Sequence, residues 1–189
     1  RLSILDLEFG IQPMTSKDGR YTIIFNGTIL NSPELRKKLE ESGIKFFTKN
    51  SDTEVLLQLY YQSNSAEVFL KKNLKLLNGI FAFAIWDEAN QIGIIVRDQF
   101  GVKPIYYKEI NNSIYFASEI KALCKIYQQS STQEKESNVS QYQNVEQINY
   151  KALDGHLNYL WNPNEFSIFP NVNKLGPGEF LLFKVNESI

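Results

Sequence analysis

Apolar positions along the chain switch between a two-residue and a three-to-four-residue rhythm, and the switches mark the predicted elements. Residues 21–25, Tyr-Thr-Ile-Ile-Phe, predict a strand, and Asn26-Gly27 behind them predicts a tight turn. A helix is expected next, with Ser32 as N-cap, Pro33 in its first turn, Leu35 and Leu39 one turn apart, and Gly43 as terminator. Residues 44–48 read as another strand. Ser51-Asp52-Thr53-Glu54 has capping-box spacing ahead of the stripe Val55, Leu56, Leu59 and Tyr60, and a third helix is expected over 66–77.

The middle of the chain is richer in strands. Residues 80–86 and 92–96 flank a polar turn at 87–91, and 105–108 and 114–117 flank Asn111-Asn112, so two hairpins are expected. Ser118 can cap a helix running to about Tyr127. Residues 128–144 hold hardly any apolar side chain and predict a flexible polar insertion. It divides a core at 1–127 from a C-terminal part of the same domain at 145–189, with a helix over 150–160 and a strand over 180–185. Hairpins mixed with helices argue for an α+β fold class over a doubly wound parallel sheet.

Composition narrows the function classes. A net charge of −1 without a basic stripe gives no nucleic-acid surface. No apolar run approaches the roughly 20 residues of a membrane helix. The single cysteine, Cys124, excludes an internal disulfide and fits a reducing, cytoplasmic setting. His156, the only histidine, sits in a helical pattern and reads most simply as a surface or packed side chain. One Cys and one His exclude a zinc site, and no Gly-Lys-Ser/Thr phosphate loop occurs. The chain opens on Arg1 in a strand-like segment rather than on Met, so an upstream N-terminus is expected.

More specific is an ordered set of segments. Arg1-Leu2-Ser3-Ile4-Leu5-Asp6 is followed by Gln12-Pro13, Asn26-Gly27-Thr28-Ile29 and Ser51-Asp52-Thr53-Glu54-Val55. Gly79-Ile80-Phe81-Ala82-Phe83-Ala84-Ile85-Trp86-Asp87 and Arg97-Asp98-Gln99-Phe100-Gly101-Val102-Lys103-Pro104-Ile105-Tyr106-Tyr107 come next. Ala117-Ser118-Glu119-Ile120-Lys121-Ala122-Leu123 and Lys174-Leu175-Gly176-Pro177-Gly178 complete the set. Together they resemble the class II glutamine amidotransferase domain of glutamine-hydrolysing asparagine synthetases, over nearly the whole chain except 128–144.

The resemblance implies an N-terminal-nucleophile hydrolase fold, a four-layer α/β/β/α sandwich of two antiparallel sheets, here without its first strands. It implies a cysteine nucleophile at the mature N-terminus, with its α-amino group as base, attacking the side-chain amide of glutamine. Arg1 cannot replace that cysteine and Cys124 is internal, so the nucleophile is expected upstream of this chain. Position by position, Arg1 matches the arginine that grips the substrate carboxylate, and Leu2, Ser3, Ile4 and Leu5 match the glutamine-binding segment behind it. Asn26 and Gly27 match the oxyanion hole, and Asp52 matches the acid that pairs with the substrate ammonium. Without the resemblance, Arg1 would read as a frayed terminal charge, Asn26-Gly27 as a turn, and Asp52 as a helix-capping acid.

One departure stands out. The family usually carries Glu after Asn-Gly, where this chain has Thr28, which offers a hydrogen bond but no charge. Weaker selectivity for an α-amino acid is therefore expected. The partners implied are L-glutamine, an ATP-dependent synthetase domain of the same polypeptide, and a second copy in a homodimer. No cofactor is implied in this domain, while ATP and Mg belong to the synthetase half. Two other readings stay open: a degenerate glutaminase-like module that packs on a ligase, and the same domain serving another amide-forming ligase.

Overall fold

The computed structural model describes residues 11–130, 148–160, 162 and 166–185. It divides into two units, 1–103 with 177–189, and 104–176. The expected glutamine-binding segment Arg1, Leu2, Ser3, Ile4 and Leu5 lies outside the described residues, as does the polar stretch from 131 on.

The first unit is built on an antiparallel sheet in the order β1-β2-β3-β4-β8, comprising Met14–Thr15, Tyr21–Ile29, Gly79–Asp87, Ile92–Arg97 and Phe180–Lys184. Odd-numbered side chains of β2 and β3 (Tyr21, Ile23, Phe25, Ile29, Phe81, Phe83 and Ile85) join Ile94 and Val96 of β4 in one core. Two helices, α1 (Ser32–Glu41) and α2 (Asp52–Ser63), add Leu35, Leu39, Val55, Leu56, Leu59 and Tyr60 to it. Ala82 and Ala84 of β3 and Ile95 of β4 are buried on the opposite face, which explains why these strands read as continuous apolar runs.

Four expectations need correction here. Asn26-Gly27 is no turn, because β2 runs through it to Ile29 with Asn26 opposite Ala82 and Gly27 opposite Phe81. The chain turns only after Leu30, whose N–H donates to Asn78 O. Asn31, not Ser32, holds the N-cap position of α1, but its side chain donates to Leu76 O and accepts from Asn78 N–H. The expected third helix is a short α3 (Ala66–Val68) followed by a π-helical turn, Phe69–Asn73, and a 3-10 turn, Leu74–Leu76.

Residues 44–48 are not a strand either. Their amides pair with a side chain: Glu54, fully buried, accepts from Phe47 N–H at 2.8 Å, from Thr48 N–H at 2.7 Å and from the Thr48 hydroxyl. Arg36 on α1 closes the network by donating to Thr48 O, standing 4.0 Å from Glu54 and covering the Phe46 ring. Once a carboxylate satisfies the amides, the segment has no need of a ladder.

The second unit holds a three-stranded antiparallel sheet, β6-β5-β7 (Ser113–Ala117, Tyr106–Ile110, Asn173–Lys174), with α4 (Ile120–Ser130) and α5 (Tyr150–Tyr159). Its hairpin turns at Asn111 and Asn112, both at positive φ, as an Asn-Asn pair between strands allows. Helix α4 runs on to Ser130, beyond the predicted end near Tyr127. The fold class is α+β with two antiparallel sheets. No helix among the described residues is long and apolar enough to cross a membrane.

The Glu54 network yields the first expectation for experiment. Glu54→Gln keeps one acceptor oxygen but loses the charge, so stability should fall by about 2 kcal/mol. Urea denaturation should show a lower midpoint with an unchanged slope, whereas an unchanged midpoint would mean that the 44–50 segment is held by something else.

Candidate functional site

Ser51 adopts extended backbone angles and accepts from Glu54 N–H at 3.3 Å, fixing the start of α2 and placing two acids in its first turn. Both carboxylates gain from the positive end of the helix dipole. Their fates differ. Glu54 is committed to the loop before it, whereas Asp52 turns to β2, where its Oδ2 accepts from Ile29 N–H at 3.1 Å. Burial is the largest influence on Asp52, which is only 6% exposed, and raises its pKa above the ordinary carboxylate range. Hydrogen bonds from the Ile29 backbone and the Thr28 side chain pull it back in part. Among the described residues no ion pair engages it.

Strand β2 brings the remaining groups. Phe81 exchanges hydrogen bonds with Asp98 at the end of β4, so the odd-numbered amides of β3 face β4 and the even-numbered ones face β2. In β2, therefore, the N–H groups of residues 25, 27 and 29 point away from β3, toward an edge that β1 reaches only at Ile23. Side chains take two of the three: Phe25 N–H donates to Gln12 Oε1 at 2.7 Å, and Ile29 N–H to Asp52. Gly27 N–H lies between them on the same edge, and no side chain among the described residues accepts it. Only glycine fits there, because φ is +149° and a Cβ would stand 2.1 Å from Ile80 O. Asn26 and Thr28, both half-buried, point to the opposite sheet face from Phe25 and Ile29.

The strand and the helix thus bring together Asn26, Gly27, Thr28 and Asp52. The edge offers a backbone donor beside an amide side chain and, two residues along, a buried acid with no counter-ion among the described residues. Cys124 and His156 belong to the other unit. Cys124 is half-buried on α4, where burial pushes its thiol up, and His156 is exposed on α5. Asp98, given no catalytic part by sequence, is fully buried and accepts from Phe81, Phe100, Val102 and Lys103 N–H. Gln12 stands out in the sequence only as part of the Gln12-Pro13 pair. No spacing rule relates it to residues 13 and 41 positions away.

A buried acid without a paired cation costs stability while it is ionised. Because the folded-state pKa of Asp52 is raised, its relative contribution is greatest below the unfolded value near 4 and is lost as pH rises through the folded one. Asp52→Asn, still able to accept from Ile29 N–H, should therefore melt about 2–4 °C higher than the parent at pH 7. That gain should shrink toward pH 4. A gain that is flat with pH would show that ionisation of Asp52 is not its source.

Comparison with known proteins shows the family of the chain. A family model described as a glutamine amidotransferase domain matches residues 1–189. Asparagine synthetase [glutamine-hydrolyzing] 1 of Bacillus subtilis is 41% identical over 180 residues, covering 94% of this chain and 24% of that protein. Asparagine synthetase [glutamine-hydrolyzing] 3 of the same organism is 45% identical over 125 residues, 65% of this chain and 19% of its own length. The chain thus spans about a quarter or less of these relatives. Among solved structures, a glutamine phosphoribosylpyrophosphate amidotransferase from B. subtilis, complexed with ADP and GMP, aligns with a TM-score of 0.52 at 29% identity. That alignment covers 60% of this chain and 25% of that one. A full-length family match and a fold shared with such an enzyme leave one assignment: the chain belongs to the glutamine amidotransferase domain family.

Proposed function

We propose that this domain releases ammonia from L-glutamine for an ATP-dependent synthetase domain of the same polypeptide, which converts aspartate to asparagine in the cytoplasm. The observation that carries the reading is the β2 edge, where Gly27 N–H sits beside Asn26 and two residues from the amide held by the buried Asp52, which no cation among the described residues pairs. Two strand residues span about 7 Å. That is of the order of the separation between the side-chain amide carbon and the α-ammonium of an extended glutamine.

In this reading the Asn26 side-chain amide and Gly27 N–H donate to the oxyanion that forms when a thiolate adds to the glutamine amide. Addition places negative charge on the former carbonyl oxygen. Collapse expels ammonia, and water then cleaves the thioester. Asp52 receives the substrate ammonium at the end of the pocket away from the reacting amide, where its carboxylate also keeps Ile29 N–H satisfied. Arg1 grips the substrate carboxylate as a two-pronged donor, with Leu2, Ser3, Ile4 and Leu5 beside it. The attacking thiol is not supplied by Cys124, which is internal and has no free amine, and is assigned to the longer polypeptide. ATP and magnesium serve the synthetase half, and no step of glutamine hydrolysis runs through them.

Thr28 favours a second reading, a glutaminase-like module without activity. Its hydroxyl bonds to Asp52 where the family usually has a second acid to hold the ammonium. Activity separates the two. The full-length, cysteine-led protein should release ammonia from glutamine, and Asn26→Ala should lower kcat by about 10²–10³-fold. The 189-residue chain by itself should release none. Silence of the full-length protein would leave the second reading standing, and ammonia from the chain alone would overturn the assignment of the nucleophile.

A further inference from the structure

Strand β1 is two residues long, and its pairing with β2 ends at Met14 opposite Ile23. Beyond that point the outward amides of β2 need acceptors that no strand among the described residues provides. Gln12 supplies the first. Its Oε1 takes Phe25 N–H at 2.7 Å, while its Nε2 stands 3.4 Å from the Thr53 hydroxyl. Phe25 directly precedes Asn26, and Thr53, 3% exposed, directly follows Asp52. One side-chain amide therefore ties the strand that carries the oxyanion donors to the helix turn that carries the acid.

We infer that Gln12 is a positioning residue for glutamine hydrolysis, holding Gly27 N–H and Asp52 in register without touching the substrate. The inference rests on the functional reading above. Its chemistry is that of a single peptide group. A glutamine amide accepts and donates at once, so it stands in for one peptide unit of a neighbouring strand where the β1 pairing has ended. A true strand continued past residue 23 would offer acceptors to the outward amides of β2 at every second residue, Gly27 included. By capping Phe25 alone, Gln12 satisfies the buried edge up to the donor and stops there. Asp52 does the same from the far side at Ile29, so Gly27 is bracketed by two side-chain acceptors. The link to Thr53 adds a second constraint, since movement of α2 relative to β2 would strain both ends of one rigid amide.

The test uses the full-length protein, assayed for glutamine hydrolysis and, with ammonium salt supplied directly, for asparagine formation. Gln12→Met preserves volume but removes both bonds. It should lower glutaminase kcat by between about tenfold and a hundredfold, as expected for a misplaced catalytic group, with the ammonia-dependent reaction unchanged. Thr53→Val cuts only the link to α2. It should raise KM for glutamine severalfold with kcat near the parent value, because the displaced group is the one that binds the ammonium. This division between kcat and KM is not produced by a general loss of stability. Parallel loss of both reactions in Gln12→Met, or kcat within about twofold of the parent, would overturn the inference, and so would a Thr53→Val variant with unchanged KM. If the parent protein hydrolyses no glutamine at all, the functional reading falls and this inference falls with it.

Discussion

Buried amides must find acceptors, and β2 carries two of them, at Phe25 and Ile29, along an edge that β1 does not reach. The organisation of the first unit follows from how that demand is met. Gln12 reaches across from the preceding segment, and Asp52 reaches up from the first turn of α2. Neither contact is a ladder: side chains support this stretch of the strand. A protein that needs a backbone N–H to point at a ligand faces this problem whenever the donor lies in a sheet. Here side chains cap the amides on either side of Gly27, and backbone crowding against Ile80 O fixes Gly27 as glycine.

The helix that meets this edge shows how position divides two similar acids. Asp52 and Glu54 are two residues apart, both buried and both at the favourable end of α2. Glu54 faces a loop with two amides and a hydroxyl to satisfy, and Arg36 lies beside it, so its charge is spent on structure. Asp52 meets the Ile29 amide of β2, the Thr28 hydroxyl and the first amides of its own helix turn, with no cation among the described residues. The first arrangement is internally complete. The second still favours the approach of a positive group, because burial has removed water while the described residues supply no counter-charge.

Much of the fold could be read from periodicity. The β3–β4 hairpin shows as two apolar runs around a polar turn, and the β5–β6 hairpin turns at its Asn-Asn pair. Pattern failed where a distant partner decided the outcome. Residues 44–48 looked like a strand because their composition suits one, but Glu54 takes their amides. Asn26-Gly27 looked like a turn because that pair usually is one, whereas here the glycine serves a close approach of two backbones inside a strand. The candidate site is suggested only by family resemblance, since nothing in the spacing of Asn26, Gly27 and Asp52 marks them apart from turn and cap residues. Gln12 was less visible still, as its partners are set by how β2 and α2 pack.

Asp98 has a consequence of a different kind. Its two oxygens hold four amides, Phe100 and Val102 on Oδ1, and Phe81 and Lys103 on Oδ2. Three of these lie in the loop after β4 and the fourth lies in β3, so one rotamer links a loop to the central sheet. Local opening there cannot proceed one bond at a time, because displacing the carboxylate releases all four. In native-state hydrogen exchange those amides would share a single opening free energy, and the loop, despite carrying the exposed Phe100 and Val102, would behave as part of the sheet rather than as a flexible connection.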